Sequence, residues 1–162
     1  MRRVFQSVVF LAVVFGAFQC VSAQSILSIA LKLETGINTH APQCVITNTR
    51  VSSKKKEQGG IMFDLSCEDQ WVRLIVAEHE SADQARNILQ EGLARVDSTL
   101  YRTIELPNLG DEGYTFANWD GSKPDLGTLS FRIGKVSFGV TSGSDKMTLS
   151  VANSVSTFMQ AT

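Results

Sequence analysis

The sequence predicts an α+β domain: two layers, with one twisted antiparallel sheet and helices packed on one face. Three observations carry that prediction. Apolar residues alternate over short runs and pair through tight two-residue turns. Ser-capped stretches with helical periodicity follow those runs. And the order strand, turn, strand, capped helix occurs twice, at 61–96 and less regularly at 128–159, which suggests an internal hairpin-helix pseudo-repeat.

The chain has 162 residues and opens with a targeting pattern. Arg2 and Arg3 form a positive n-region, residues 8–18 an uncharged apolar run, and Val21-Ser22-Ala23 a small-residue cleavage site. That is the pattern of a signal peptide over 1–23, with a single disulfide-bonded domain over 24–162 and a periplasmic or secreted destination. The apolar run is shorter than the roughly 20 residues a membrane span needs, so a retained anchor is the runner-up and no span is expected after cleavage. Cys20 offers lipid attachment as an alternative, but Ala17 and Gln19 stand where a lipobox wants Leu and a small residue. Loss of Arg2 and Arg3 from 15 basic residues, against 16 acidic, leaves a mildly acidic domain with no broad basic face, which argues against nucleic acid as a partner. The one basic run, Lys54-Lys55-Lys56, falls in a predicted hairpin loop.

Residues 25–36 read as a short helix. Ile26, Ile29, Ala30 and Leu33 make one apolar stripe, Ser25 suits the N-cap, and Gly36 suits a left-handed C′ position. Residues 38–43 read as a linker holding His40 and Pro42.

Strands are expected at 44–51 and 61–67. A symmetric hairpin that sets Cys44 opposite Cys67 puts Ile46 against Leu65 and Asn48 against Phe63. The two cysteines left after cleavage are then placed for a disulfide, with two buried thiols as the alternative. Closing a loop of about 20 residues in this way stabilises the fold by about 3 kcal/mol. A third strand at 71–77 follows Glu68-Asp69, pairing Leu65 with Val72, Phe63 with Leu74 and Ile61 with Val76. Ser81-Ala82-Asp83-Gln84 is a capping box, with Gln84 expected to reach the Ser81 amide. Ala85, Ile88, Leu89, Gly92, Leu93 and Val96 continue it as a helical stripe.

Residues 100–106 read as a strand stopped by Pro107, 108–113 (NLGDEG) as a turn, 114–118 as a short strand and 119–126 as an exposed loop. Strands at 128–133 and 136–141 meet across Gly134-Lys135, where glycine in the first turn position suits type II′. Phe131 then faces Phe138 and Leu129 faces Val140, the counterparts of Phe63/Leu74 and Ile61/Val76. Ser144 caps a last helix with Met147, Val151, Val155, Phe158 and Met159 inward.

Catalytic patterns are absent: no nucleophile elbow, no phosphate-binding glycine loop, no histidine spacing for zinc. His79, between Glu78 and Glu80, reads as a surface histidine at a strand end, and His40 as solvated. Neither a metal nor another cofactor is expected. Asp111 and Glu112, in a glycine-flanked turn, are the notable acidic pair. They read as a turn device, with Asp111 capping the turn's own amides and Gly110 and Gly113 at positive φ. A Ca²⁺ site with Asp120 and Asp125 is the alternative, but the loop lacks alternating oxygen ligands. Thr128, Ser130, Arg132, Ser137, Gly139 and Thr141 share one polar sheet face, which Asp64 and Arg73 extend. It is either a solvated face or a shallow recognition surface bordered by Tyr114 and Trp119. The candidate ligand-binding residues are therefore Asp111, Glu112, Tyr114, Trp119 and Arg132.

The stretch Leu109-Gly110-Asp111-Glu112-Gly113-Tyr114, the hairpin Leu129-Ser130-Phe131-Arg132-Ile133-Gly134-Lys135-Val136 and the terminal helix resemble a group of exported bacterial domains. These carry a GDE-small-aromatic turn and are similar to the extracellular sensor-type domains of actinobacterial serine/threonine kinases and related lipoproteins. The resemblance covers the last third of the chain. It implies a two-layer α+β fold and a binding or sensing role, and it brings no catalytic residues. The expected function is a non-enzymatic binding or sensing domain for an unidentified small molecule or envelope protein. A small exported enzyme, with residues converging only in the fold, and a structural or assembly protein of the cell envelope are the alternatives.

Overall fold

The computed structural model describes residues 26–52, 60–99, 101–118 and 125–161. The expected signal segment, the lysine run, Ser25 and Trp119 lie outside them. The fold is α+β. An open seven-stranded antiparallel sheet has the order β1-β2-β3-β7-β6-β5-β4, where β1 is Cys44–Ser52, β2 Gly60–Cys67, β3 Gln70–Glu78, β4 Tyr101–Glu105, β5 Glu112–Asn118, β6 Asp125–Ile133 and β7 Val136–Ser142. Helices α1 (26–40) and α3 (Asp145–Gln160) pack against one face. There Ile26, Leu33 and Ile37 of α1 and Met147, Val151 and Val155 of α3 meet Phe63, Leu65, Leu74, Phe131 and Val140 of the sheet. These sheet residues alternate along their strands, as one buried face requires.

The two hairpins form as their apolar alternation dictates. Phe63 pairs with Leu74 and Ile61 with Val76; Phe131 pairs with Phe138 and Leu129 with Val140. The phenyl rings of Phe131 and Phe138 stack with centroids 4.8 Å apart. Gly134 takes φ +55°, as its turn position requires, and Glu68 supplies the left-handed residue of the other turn at φ 54°. Cys44 lies opposite Cys67 in the register, with the sulfurs at bonding distance, 2.08 Å.

Three expectations are corrected. The β1–β2 register slips between Ile46 and Asn48, so Asn48 faces Asp64 and Thr49 faces Phe63. A bulge at Thr47 is the cause, and the Thr47 hydroxyl donates to the Asp64 carbonyl at 3.0 Å. Helix α1 does not stop at Gly36 but runs to residue 40, absorbing part of the expected linker. Gly36 serves close packing: a Cβ added there would lie 2.5 Å from Phe158 Cδ1 of α3. His40, though exposed, closes the last turn with its ring 5.8 Å from Phe158. Gly113 also serves close approach rather than positive φ, since an added Cβ would lie 2.7 Å from the Leu109 carbonyl oxygen. Gly110 does take φ +67°.

The shared register at the centre of the sheet fits the repeat at the level of hairpins. Leu74 pairs with Val140 and Val76 with Phe138, so the equivalences Leu74/Phe138 and Val76/Val140 map one pair onto the other. The helices diverge. The chain leaves β3 in mid-sheet, and α2 (Ala82–Ala94) packs against β6 and β7 on positions that alternate with the α1/α3 core. It then enters the far edge as β4.

Candidate binding groove

Helix α2 starts where its capping residues say. Ser81 Oγ accepts from the Gln84 amide at 3.1 Å, while Gln84 Oε1 reaches the Glu80 amide, one residue before the expected target, at 2.7 Å. Ala85 and Leu89 are buried. Two polar rungs tie the helix to β5: Arg86 Nε donates to Glu112 Oε1, and Gln90 Nε2 donates to the Tyr114 hydroxyl at 3.2 Å.

These rungs place three of the expected site residues in one network. Arg132, 5% exposed, donates from Nη1 to Asp111 Oδ2 at 3.1 Å and from Nη2 to Glu112 Oε1 at 2.8 Å. Asp111 Oδ2 also accepts from the Gly134 amide at 2.7 Å. Asp111 thus ties the GDE turn to the β6–β7 turn, rather than capping its own turn. The Arg132 hydrogen bond, with help from Arg86, holds the Glu112 carboxyl below the usual range against the opposing effect of burial. The network is a structural clamp, with its carboxylates committed to protein donors. Tyr114 borders it through Gln90, and Trp119 lies outside the described residues.

The polar sheet face is not the open surface expected. Helix α2 roofs part of it and leaves a groove of about 430 Å³ beside the clamp, within the roughly 300–1,000 Å³ range of small-molecule sites. From the helix, Ile88, Leu89, Gly92 and Leu93 line it. From the sheet come Ile75, Phe116, Ser130, Ser137 and Gly139. No lining side chain is charged.

Two glycines hold the groove open. A Cβ on Gly92 would meet nothing within 4 Å, and one on Gly139 would make only an ordinary contact, 3.9 Å from Ile75 Cβ. Neither takes positive φ, so neither backbone nor packing requires glycine here. Glycine inside a helix or strand costs about 0.5–1 kcal/mol relative to alanine, and what that cost secures is empty space.

His79 is the residue the sequence misplaced. It is 3% exposed, with Nε2 2.7 Å from Ser137 Oγ and its amide donating to the Lys135 carbonyl at 2.9 Å. Burial pushes its imidazole below the ordinary histidine range, against the nearby Glu78 carboxylate. It is buried because the β6–β7 turn folds over it, and Lys135 Nζ pairs with Glu78 Oε1 at 2.7 Å. Nothing in the sequence predicts that contact, which joins residues 58 positions apart. Gly92 and Gly139 did carry a signal: each interrupts a regular pattern without a turn nearby.

No family model, curated protein or solved structure matches the chain. Among the described residues no helix is long and apolar enough to cross a membrane.

Proposed function

We propose that the chain is an exported, non-enzymatic binding domain, of the sensing type its sequence resembles, whose small-molecule ligand lies in the groove between α2 and the sheet. The carrying observation is the pair of glycines, one on the helix wall and one on the sheet wall of the groove. A stability cost on both walls is accepted with no backbone need, and the space kept is apolar and of ligand size. The Cys44–Cys67 bond supports an oxidising destination.

Nile red, a neutral apolar dye, tests this reading. The wild-type domain is expected to bind it with enhanced, blue-shifted emission. Gly92→Leu, which fills the groove from an exposed helix position, is expected to abolish binding while leaving the circular dichroism unchanged. Equal binding by both proteins sinks the groove reading.

A second reading, a small hydrolase, draws on the contact between His79 Nε2 and Ser137 Oγ. A serine nucleophile needs a base oriented by a third group on its other nitrogen. His79 Nδ1 is buried with no hydrogen-bond partner among the described residues, which favours binding over catalysis. Turnover of p-nitrophenyl esters that is lost in Ser137→Ala would reverse that order.

A further inference from the structure

The groove is apolar but not featureless. Ser130 and Ser137 lie on its floor, diagonal neighbours on adjacent strands and so roughly 7–8 Å apart. The question is which hydrogen-bonding groups they turn toward a ligand.

The state of Ser137 follows from His79. A neutral imidazole carries one N–H and one bare nitrogen. Nδ1 is buried with no partner among the described residues, and a buried N–H left without an acceptor is rarer in proteins than an under-used acceptor. The proton is therefore assigned to Nε2, which faces Ser137 Oγ at 2.7 Å. The serine oxygen accepts that bond, and its own hydroxyl hydrogen has no protein acceptor among the described residues. Burial keeps the imidazole neutral and the arrangement in place. The outcome is one donor of fixed orientation on an apolar floor, with the Ser130 hydroxyl beside it.

The lining also limits the charge of what binds. With no charged side chain lining the groove, a ligand carboxylate or ammonium would be desolvated without a counter-charge, which disfavours a charged ligand. The nearby ions offer no help: Glu112 is committed to Arg86 and Arg132, and Lys135 to Glu78.

Resting on the groove reading, we infer that Ser137 is the polar anchor of the site and that the ligand is a neutral apolar molecule with one hydrogen-bond-accepting oxygen, such as a ketone or an ester. His79 is the positioning residue that holds the Ser137 oxygen and turns its hydrogen outward.

Competition against bound Nile red tests the assignment, with 2-undecanone, n-undecane and undecanoate as displacing probes. In the wild-type domain the ketone is expected to displace the dye about fivefold more tightly than the alkane, the difference one neutral hydrogen bond makes, and undecanoate at neutral pH is expected to be weakest. Ser137→Ala is expected to bring the ketone down to the alkane while leaving alkane binding unchanged, which also shows that the variant is folded. If ketone and alkane bind alike in the wild type, the anchor is wrong and the groove reading stands. Tightest binding by undecanoate overturns the neutral ligand. Displacement by a capped apolar peptide but not by the ketone overturns the small molecule in favour of a protein segment. If nothing displaces the dye, or no dye binds, both readings fall together.

Discussion

Asp64 and Arg132 occupy the same place in the two hairpins, one residue after the core phenylalanines Phe63 and Phe131, on the face away from α1 and α3. Both are buried, at 7% and 5% exposure. Their charges are opposite. Asp64 is a carboxylate at the centre of cations: Arg73 Nε donates at 2.9 Å from the partner strand, and Arg50 Nη2 at 3.3 Å from the flanking strand. Arg132 is a cation at the centre of carboxylates from the other flanking strand and the turn before it. Of the partners of Asp64, Arg50 is largely solvated and Arg73 is about one-third exposed, lying over the half-exposed Trp71 ring, 4.6 Å from its centroid. The Arg132 cluster continues through Arg86 into a helix. One cluster finishes an open sheet surface, whereas the other fastens the roof of the groove. Equivalent positions in a repeated motif are thus free to exchange charge, provided that each buried charge finds partners.

Breaking the two clusters separates them most. Arg132→Met is expected to destabilise by about 3 kcal/mol, because Glu112 and Asp111 lose a buried partner. Asp64→Asn is expected to cost about 1 kcal/mol, since Arg50 and Arg73 can turn to water. Urea denaturation measures both, and the reverse order would refute the distinction between roof and surface. Cys67→Ser is expected to cost about 3 kcal/mol, through a loop closure confined to the Asp64 half. Two free thiols in non-reducing mass spectrometry of the purified domain, or an unchanged melt, would remove the bond.

Acid acts on both halves with the same sign. The Arg73 hydrogen bond holds the Asp64 carboxyl below its ordinary value, as Arg132 does for Glu112. Each carboxyl binds fewer protons folded than unfolded, so its contribution is complete above about pH 5 and fades as pH falls through the folded value. His79 is also depressed. Its neutral form is favoured in the fold, so its contribution is complete above about pH 7 and fades as pH drops below about 6.5. Melting temperature should therefore fall in two stages on acidification, and His79→Gln should remove the first. A melt that rises between pH 7 and 4 would contradict all three signs.

The smallest effect sharpens the contrast most. Gly92→Ala should stabilise by about 0.5–1 kcal/mol, because a Cβ there meets open space. It should also weaken Nile red binding. Stabilisation without loss of binding would move the ligand away from α2.

Much of the fold was legible in residues. The apolar alternation that paired Phe63 with Leu74 and Phe131 with Phe138 is a period-two signal, and a slip by one would expose the whole core. The caps at Ser81 and Ser144 are chemistry within three residues of themselves. None of the expected site residues among the described ones lines the groove: Asp111, Glu112 and Arg132 form the clamp beside it, and Tyr114 borders that clamp. A glycine-flanked acidic turn announces itself locally, whereas the arginine that consumes its charge lies about 20 residues away. The Thr47 bulge and the passage of α1 through Gly36 were illegible, because each answers to a neighbour distant in sequence.

The sequence by itself determined which residues pair across the β2–β3 and β6–β7 turns, where α2 and α3 begin and that Cys44 can reach Cys67, since those follow from local periodicity and hydrogen bonding. It did not fix what α2 would lie against. An amphipathic helix records how wide its apolar stripe is, not what lies opposite. Only the tertiary structure laid that stripe across β6 and β7, buried His79 against Ser137 and brought Gly92 and Gly139 to one groove. The groove exists because two surfaces meet there without filling the space between them.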